Sequence, residues 1–150
     1  MTLRTDFADH LPRVTGDRVQ VQQVILNLLG NASEAMRDVD DRPRDLLIST
    51  GSEANGHVRL TVEDAGVGFE PREAERLFEA FHTTKNGGMG IGLFVSRSII
   101  EAHQGRLWAA PNAGAGASFS FSIPSISDRQ NPDARRTSIP VQLQNAMEDR

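Results

Sequence analysis

The sequence predicts an α/β fold, because segments with helical periodicity are interspersed with segments that alternate apolar and polar residues. Segments 18–38 and 91–103 carry apolar residues at the spacing of an amphipathic helix, and a further helical turn or two is predicted at 71–78. At 150 residues the chain has room for one domain, which we place at 1–124. Five segments have the length and alternation of β-strands: 2–7, 46–52, 57–64, 106–110 and 117–123.

The first helix is predicted to begin after Asp17, a residue type that commonly caps helix N-termini. Asn27, Asn31 and Glu34 form a polar stripe beside its apolar face, at about 100° per residue. Polar groups in such a half-buried position need hydrogen-bond partners, so we expect the stripe to be partnered. The apolar face comprises Val21, Val24, Ile25, Leu28, Leu29, Ala32 and Met36.

The strand at 57–64 ends on a carboxylate that the pattern turns towards the core. Val58, Leu60 and Val62 share one face, and a period of two places Asp64 on that same apolar side. A carboxylate pointing into a core is costly unless a hydrogen-bond donor meets it. We therefore expect a donor at Asp64.

The second half of the chain contains a long connection, a helix and a hairpin. Residues 65–90 are long for a connection in a compact domain, which is typical of functional loops and lids, and we predict disorder at 82–90 without ligand. The second helix is predicted to pack through Ile91, Val95, Ile99 and Ala102. Alternation in the last strand predicts one buried and one exposed face. The buried face is expected to carry Phe119, Phe121 and Ile123, and the exposed face Ser118, Ser120 and Ser122.

Composition indicates a cytoplasmic protein domain that binds neither nucleic acid nor membranes. The net charge of -4 gives no general attraction to polyanions, and the absence of cysteine excludes disulfides and thiolate metal sites. No apolar run approaches the roughly twenty residues of a membrane span. Residues 125–150 are polar, with few large apolar side chains, and we predict a mostly disordered tail there.

Two glycine-rich stretches indicate a nucleotide site. Asp-Ala-Gly-Val-Gly at 64–68 ends a predicted strand, and Gly-Met-Gly-Ile-Gly-Leu at 88–93 opens a predicted helix. The acid needs a donor and the helix N-terminus favours an anion, and a nucleotide supplies both. Two other nucleotide motifs do not fit. The glycines at 51 and 56 have the spacing of a P-loop, but the Lys and Ser/Thr that must follow are absent. No strand precedes 88–92, as a dinucleotide fingerprint requires.

Three further segments accompany 64–68 and 88–93: Asn-Leu-Leu-Gly-Asn-Ala at 27–32, Phe-Glu-Ala-Phe-His-Thr-Thr-Lys at 78–85 and Gly-Ala-Gly-Ala-Ser at 114–118. The five segments together, over residues 2–124, resemble the ATP-binding catalytic domain of bacterial sensor histidine kinases. That family shares a superfamily with type II topoisomerases, mismatch-repair ATPases and heat-shock chaperones. The resemblance is greatest to the nitrogen- and oxygen-sensing branch, and it implies the Bergerat fold: a two-layer α/β sandwich, with a mixed sheet of about five strands covered by three helices. In chain order, the five segments look like the N, G1, F, G2 and G3 boxes of that family.

The resemblance implies ATP and Mg²⁺ as ligands and gives three residues specific roles. Asn31 looks like the magnesium-binding asparagine, and an amide oxygen is a suitable hard ligand. Asp64 looks like the acid that accepts a hydrogen bond from the amine of adenine. Asn27 stands where related ATPases carry a water-activating glutamate, and an amide cannot act as that base. The resemblance therefore favours phosphoryl transfer over hydrolysis, with Asn27, Asn31 and Lys85 as the catalytic set.

Further binding residues follow from the same resemblance. Gly66 and Gly68 would allow close approach to the base. Glu34 and Ala117 are included in the site, although many family members have a basic residue at the first position and a threonine at the second, which affects affinity more than fold. The phosphates are expected to meet Thr83, Thr84 and Lys85 of the lid and the segment Gly88, Met89, Gly90, Ile91, Gly92 and Leu93.

The expected partners are a histidine-containing dimerisation domain of the same kinase and, indirectly, a response regulator. None of the four histidines lies early on an amphipathic helix beside an acid and an arginine, so we expect the chain to be a fragment of a larger kinase or a truncated gene product and, in isolation, a monomer. Two alternatives stay open: a nucleotide-binding interaction module without transferase activity, and a serine kinase of the anti-sigma type. The product of a transfer experiment distinguishes the three functions. A histidine kinase would give acid-labile phosphohistidine, an interaction module would bind without transfer, and an anti-sigma-type kinase would give acid-stable phosphoserine.

Overall fold

The computed structural model describes residues 1–80 and 91–126, which form one five-stranded sheet with helices on one face. Two 3₁₀ turns, Pro71–Glu73 and Arg76–Phe78, provide the third of the predicted helical segments. The predicted two-layer α/β sandwich is therefore confirmed. The strands are β1 (Thr2–Asp6), β2 (Asp45–Ser52), β3 (His57–Glu63), β4 (Arg106–Pro111) and β5 (Ala117–Pro124), and the helices are α1 (Arg18–Met36) and α2 (Gly92–Ala102).

The sheet is mixed, with the strand order β1-β2-β3-β5-β4. Only the β1–β2 pair is parallel, and the three remaining pairs are antiparallel. Strand β3 lies in the centre, where Val62 is opposite Ile48 on one side and Phe119 on the other. Asp64 directly follows this central strand, so the candidate acid is held by the most enclosed part of the sheet.

Helix α1 matches its sequence-based prediction closely. The Asp17 carboxylate accepts hydrogen bonds from the backbone N–H groups of Val19, at 2.9 Å, and Gln20, at 3.2 Å. These bonds satisfy two of the four N–H groups that a helix start leaves without intrahelical partners. Six of the seven predicted apolar residues are buried against the inner face of the sheet, and the seventh, Leu29, is partly buried.

The predicted packing face of α2 was wrong in part, since Ile99 packs against the core but Ile91 and Val95 do not. Ser96 and Ile100 are fully buried, whereas Ile91 and Val95 are 36% and 37% exposed. The cause is a polar contact between the two helices, in which Ser96 Oγ accepts a hydrogen bond from the side-chain amide of Asn27 at 3.0 Å. A pattern of apolar residues cannot identify a packing face whose centre is a hydrogen bond.

The serines of β5 also differ from their prediction, since Ser120 and Ser122 are only 6% and 4% exposed. Strand β5 lies between β3 and β4, so longer side chains on both neighbours cover these small hydroxyls. Ser120 is hydrogen-bonded to Thr61 at 2.8 Å and is opposite Trp108, whose ring is stacked by the Arg106 guanidinium at 4.4 Å.

The end of β5 remains attached to the start of the chain. Ser125 pairs with Val14, and the Ile126 N–H donates to the Arg13 carbonyl at 2.9 Å. The predicted lid at 82–90 lies outside the described residues, as does the predicted tail at 125–150 except for its first two residues. Those two residues, Ser125 and Ile126, are held to the fold by the contacts above, so the boundary predicted at 124 was too early. In the described part, neither α1 nor α2 has the length and apolar character needed to cross a membrane.

Candidate nucleotide-binding site

A cavity of about 260 Å³ lies between α1, the turn after β3 and the start of α2. Asp64 stands at the end of the central strand, Asn31 and Glu34 come from α1, and Leu93 comes from α2. The cavity thus brings together residues that are far apart in the chain. Six predicted site residues line it: Asn31, Glu34, Asp64, Gly68, Leu93 and Ala117.

Asp64 faces inward, as its strand position predicted, and is 4% exposed. Its Oδ1 accepts hydrogen bonds from the backbone N–H groups of Gly66, at 2.8 Å, and Ala117, at 3.2 Å. These two donors meet the requirement that a buried carboxylate be hydrogen-bonded. They also fix the carboxylate in one orientation at the edge of the cavity. Ala117, a predicted site residue, therefore contributes to the site through its backbone N–H.

Gly66 occupies a position that no side chain could share. A Cβ there would stand 2.6 Å from the Ala35 carbonyl oxygen, which accepts a hydrogen bond from the Val67 N–H at 3.2 Å. Gly68 has a φ of +69°, a left-handed conformation that favours glycine. The backbone of the turn therefore lies directly against the last turn of α1.

Asn27 and Asn31 occupy successive turns of α1 but have different surroundings. The Asn27 amide donates to Ser96 Oγ at 3.0 Å and to the Gly92 carbonyl at 3.4 Å, and its Oδ1 accepts from Gln23 at 3.1 Å. Asn27 therefore connects α1 to the first turn of α2. Asn31, one turn later, lines the cavity. In the described part of the chain, no three histidine or acidic side chains converge on a common metal position.

Glu34 lies in the cavity lining and forms a 3.1 Å ion pair with Arg37. The described lining carries four carboxylates, on Glu34, Asp38, Asp64 and Glu73, against the single guanidinium of Arg37. An anionic ligand would therefore need cations from elsewhere to offset this charge.

Several predicted residues lie outside the cavity lining or outside the described part of the chain. Ile91 is 36% exposed and precedes α2, while Gly92 is its first residue. Gly66 supports the turn from the side of α1. The predicted residues that fall outside the described segments are Thr83, Thr84, Lys85, Gly88, Met89 and Gly90.

Three residues that shape the site escaped the sequence analysis. Arg42 donates to the Ala65 and Gly66 carbonyls, and Asn112 donates to the Asp64 carbonyl at 3.0 Å. The Ser96 hydroxyl accepts a hydrogen bond from the side-chain amide of Asn27. Each of these contacts spans 23 or more positions along the chain. Local periodicity carries no signal for such contacts.

Residues 16–127 match the family model "Histidine kinase-, DNA gyrase B-, and HSP90-like ATPase", so the chain belongs to this ATPase family. Among curated relatives, the sensor protein FixL of Bradyrhizobium diazoefficiens is 46% identical over 115 residues, which is 77% of this chain. The chain spans only 22% of the length of FixL.

Solved structures of histidine kinases share the fold. Full-length ShkA in complex with AMPPNP superposes with a TM-score of 0.72 at 28% identity, covering 84% of this chain and 26% of ShkA. The nucleotide-free catalytic domain of ThkA gives 0.70 at 32% identity, covering 83% of this chain and 78% of that domain. ThkA in complex with the response regulator protein TrrA gives a TM-score of 0.67 at 28% identity, covering 86% of this chain and 35% of the matched chain. The fold and family inferred from the sequence are confirmed.

Proposed function

We propose that this chain is the ATP- and Mg²⁺-binding catalytic domain of a sensor histidine kinase, and that it transfers the γ-phosphoryl group to a histidine on a separate dimerisation domain. The observation that carries the proposal is one cavity lined by the buried carboxylate of Asp64, the amide of Asn31 and the start of α2. The carboxylate suits the amine of an adenine base, the amide oxygen suits a magnesium ion, and the helix start suits a phosphate chain.

Adenine is assigned to the Asp64 end of the cavity. The carboxylate is oriented through Oδ1 by two backbone donors, so it can accept a hydrogen bond from the exocyclic amine of the base. Gly68 lines the same end and lets the backbone approach the ring closely. Guanine presents a carbonyl where adenine presents its amine, so the site would discriminate against GTP.

The phosphates are assigned to the end where α1 faces the start of α2. The amide oxygen of Asn31 fits Mg²⁺, which takes one or two protein ligands and completes its shell with phosphate oxygens and water. When bound, the ion would neutralise phosphate charge in a cavity whose described lining is mostly acidic. The lid residues Thr83, Thr84 and Lys85 and the segment 88–93 complete this end in the proposal.

The proposal favours transfer to a protein side chain over hydrolysis. Asn27 is held by Ser96, Gly92 and Gln23, and its amide has no basic lone pair with which to activate water. Phosphoryl transfer asks mainly for positioning and charge stabilisation from the protein. His103 Nε2 accepts a hydrogen bond from the Asp17 N–H at 2.9 Å, so this histidine serves as a structural contact in the fold.

The partners proposed for this domain are a dimerisation domain and, through it, a response regulator. The ThkA–TrrA complex, a structural relative, supports the response regulator as a partner. We also propose a cytoplasmic location, because the ATP that this activity consumes is present there.

Calorimetric titration of Mg²⁺-ATP into the 150-residue chain tests the binding step. Asp64→Asn should weaken binding about tenfold or more, because the base loses a charge-assisted hydrogen bond. Asp9→Asn is the matched control, since Asp9 is exposed and does not line the cavity. A folded wild type that binds no ATP would refute the proposal.

Transfer is tested by adding γ-labelled ATP and the purified dimerisation domain of a sensor histidine kinase in trans. Acid-labile label on that domain supports histidine kinase activity. Acid-stable label on serine would instead favour the anti-sigma type of kinase. Tight binding without transfer would favour an interaction module.

A further inference from the structure

Side chains hold three consecutive backbone carbonyls in the turn that follows β3. Arg42 donates from Nε to the Ala65 carbonyl at 2.8 Å and from Nη2 to the Gly66 carbonyl at 2.7 Å. Asn112 donates to the Asp64 carbonyl at 3.0 Å. One guanidinium therefore spans two successive peptide units, in the fork geometry that arginine provides and lysine lacks.

Fixing these two carbonyls also fixes the N–H groups on the other side of the same planar peptides. The Ala65 carbonyl shares its peptide with the Gly66 N–H, which donates to Asp64 Oδ1 at 2.8 Å. The Gly66 carbonyl shares its peptide with the Val67 N–H, which donates to the Ala35 carbonyl at 3.2 Å. The hydrogen bonds of Arg42 are thereby transmitted to the donor that orients the carboxylate of Asp64.

Arg42 acts from behind the turn. It is absent from the cavity lining, its side chain is 31% exposed, and its Nη1 pairs with Asp41 at 3.0 Å. It lies in the connection between α1 and β2, and its hydrogen bonds reach 23 and 24 positions along the chain. An arginine at the surface usually hydrogen-bonds to water. Arg42 instead donates two of its N–H groups to the backbone of the turn.

We propose that Arg42 is a positioning residue for base recognition, which sets the orientation of the Asp64 carboxylate through the peptide units of Ala65 and Gly66. The inference rests on the proposed function, because it requires that Asp64 reads the base. Arg42 itself touches no ligand, so its substitution changes affinity and base selectivity only through Asp64.

The test compares two conservative substitutions in the same connection by calorimetric titration with Mg²⁺-ADP. Arg42→Lys keeps the charge but cannot span two carbonyls, and we expect about tenfold weaker binding. Arg44→Lys is the matched control, because Arg44 donates to the Val39 carbonyl at 2.7 Å and forms no hydrogen bond to the turn. We expect Arg44→Lys to bind within about twofold of the wild type.

A double-mutant cycle with Asp64→Asn separates positioning from general destabilisation. If Arg42 acts through Asp64, then Arg42→Lys should cost less than about twofold in affinity in the Asp64→Asn background. The Gly66 amide resonance should also shift in Arg42→Lys and stay unchanged in Arg44→Lys. This signal reports the donor to Asp64 without any nucleotide.

Three outcomes overturn the inference. Wild-type affinity in Arg42→Lys would show that the turn keeps its orientation without the guanidinium. A full tenfold loss that persists in the Asp64→Asn background would show that Arg42 acts by another route. A folded wild type that binds no nucleotide would overturn the proposed function and this inference with it, whereas the first two outcomes leave the proposed function intact.

Discussion

The substitution Gly66→Ala should destabilise the protein by filling a space that the backbone of α1 already occupies. The new Cβ would stand 2.6 Å from the Ala35 carbonyl oxygen and 2.7 Å from both its carbonyl carbon and its Cβ. All three distances are well below normal van der Waals contact. Two of the three atoms belong to the backbone of a helix, so the turn rather than a side chain has to move.

The magnitude follows from what this movement breaks. Overpacking of this kind costs about 1–3 kcal/mol. The Val67 N–H donates to the same Ala35 carbonyl, and loss of this hydrogen bond adds about 1 kcal/mol. We therefore expect Gly66→Ala to lower the free energy of unfolding by about 2–4 kcal/mol.

Urea denaturation followed by circular dichroism measures this change, and Gly30→Ala is its control. Gly30 lies exposed within α1, and a Cβ there meets nothing within 4 Å. Alanine in a helix interior is favoured over glycine by about 0.5–1 kcal/mol, so this variant should be more stable than the wild type. The same chemical change is thus expected to have opposite signs at the two positions.

Equal stability of Gly66→Ala and the wild type would refute the reasoning. It would mean that the turn does not lie against the end of α1 as described. A loss of stability in Gly30→Ala similar to that in Gly66→Ala would show that the effect is not specific to the contact with Ala35.

Three further predictions concern the helix ends and the contact between the helices. Asp17→Ala should cost about 1 kcal/mol in unfolding free energy, because two N–H groups at the start of α1 lose their acceptor. Ser96→Ala should cost about 1 kcal/mol, because the half-buried amide of Asn27 loses a hydrogen-bond partner at 3.0 Å. His103 should carry its ring proton on Nδ1 rather than on Nε2 in ¹⁵N NMR spectra, because its Nε2 accepts from the Asp17 N–H and its Nδ1 lies 2.8 Å from the Ile99 carbonyl.

Each of these predictions has a distinct contrary result. Wild-type stability of the Asp17 variant would mean that water replaces the cap at no cost. An unchanged unfolding midpoint for the Ser96 variant would show that the amide of Asn27 finds another acceptor. An Nε2–H tautomer of His103 would exclude its bond from the Asp17 N–H.

The elements that the sequence predicted correctly depend on neighbouring residues. The start of α1 was predictable because Asp17 and the apolar spacing after it act within a single turn. The inward direction of Asp64 was predictable because the side chains of a strand alternate, and Val62 fixed the phase. In both cases the determining physics extends over only a few residues.

The features that the sequence left hidden depend on contacts between distant segments. Ser96 is buried because Asn27, 69 positions earlier, supplies a partner for its hydroxyl. Ser120 is buried because Thr61 and Trp108 flank it on strands that pair only in the folded sheet. The fork of Arg42 has the same origin, since the carbonyls that it binds become its neighbours only after folding.

The hydrogen bond between the Ala117 N–H and Asp64 Oδ1 has a consequence for the order of events during synthesis. The two residues are 53 positions apart, and Ala117 begins β5, which is the last strand in chain order and pairs with the central strand β3. A nascent chain released only as far as β4 therefore lacks one of the two donors that orient the carboxylate. Nucleotide affinity should appear only after β5 has emerged from the ribosome, so occupancy by ATP would report a fully assembled sheet.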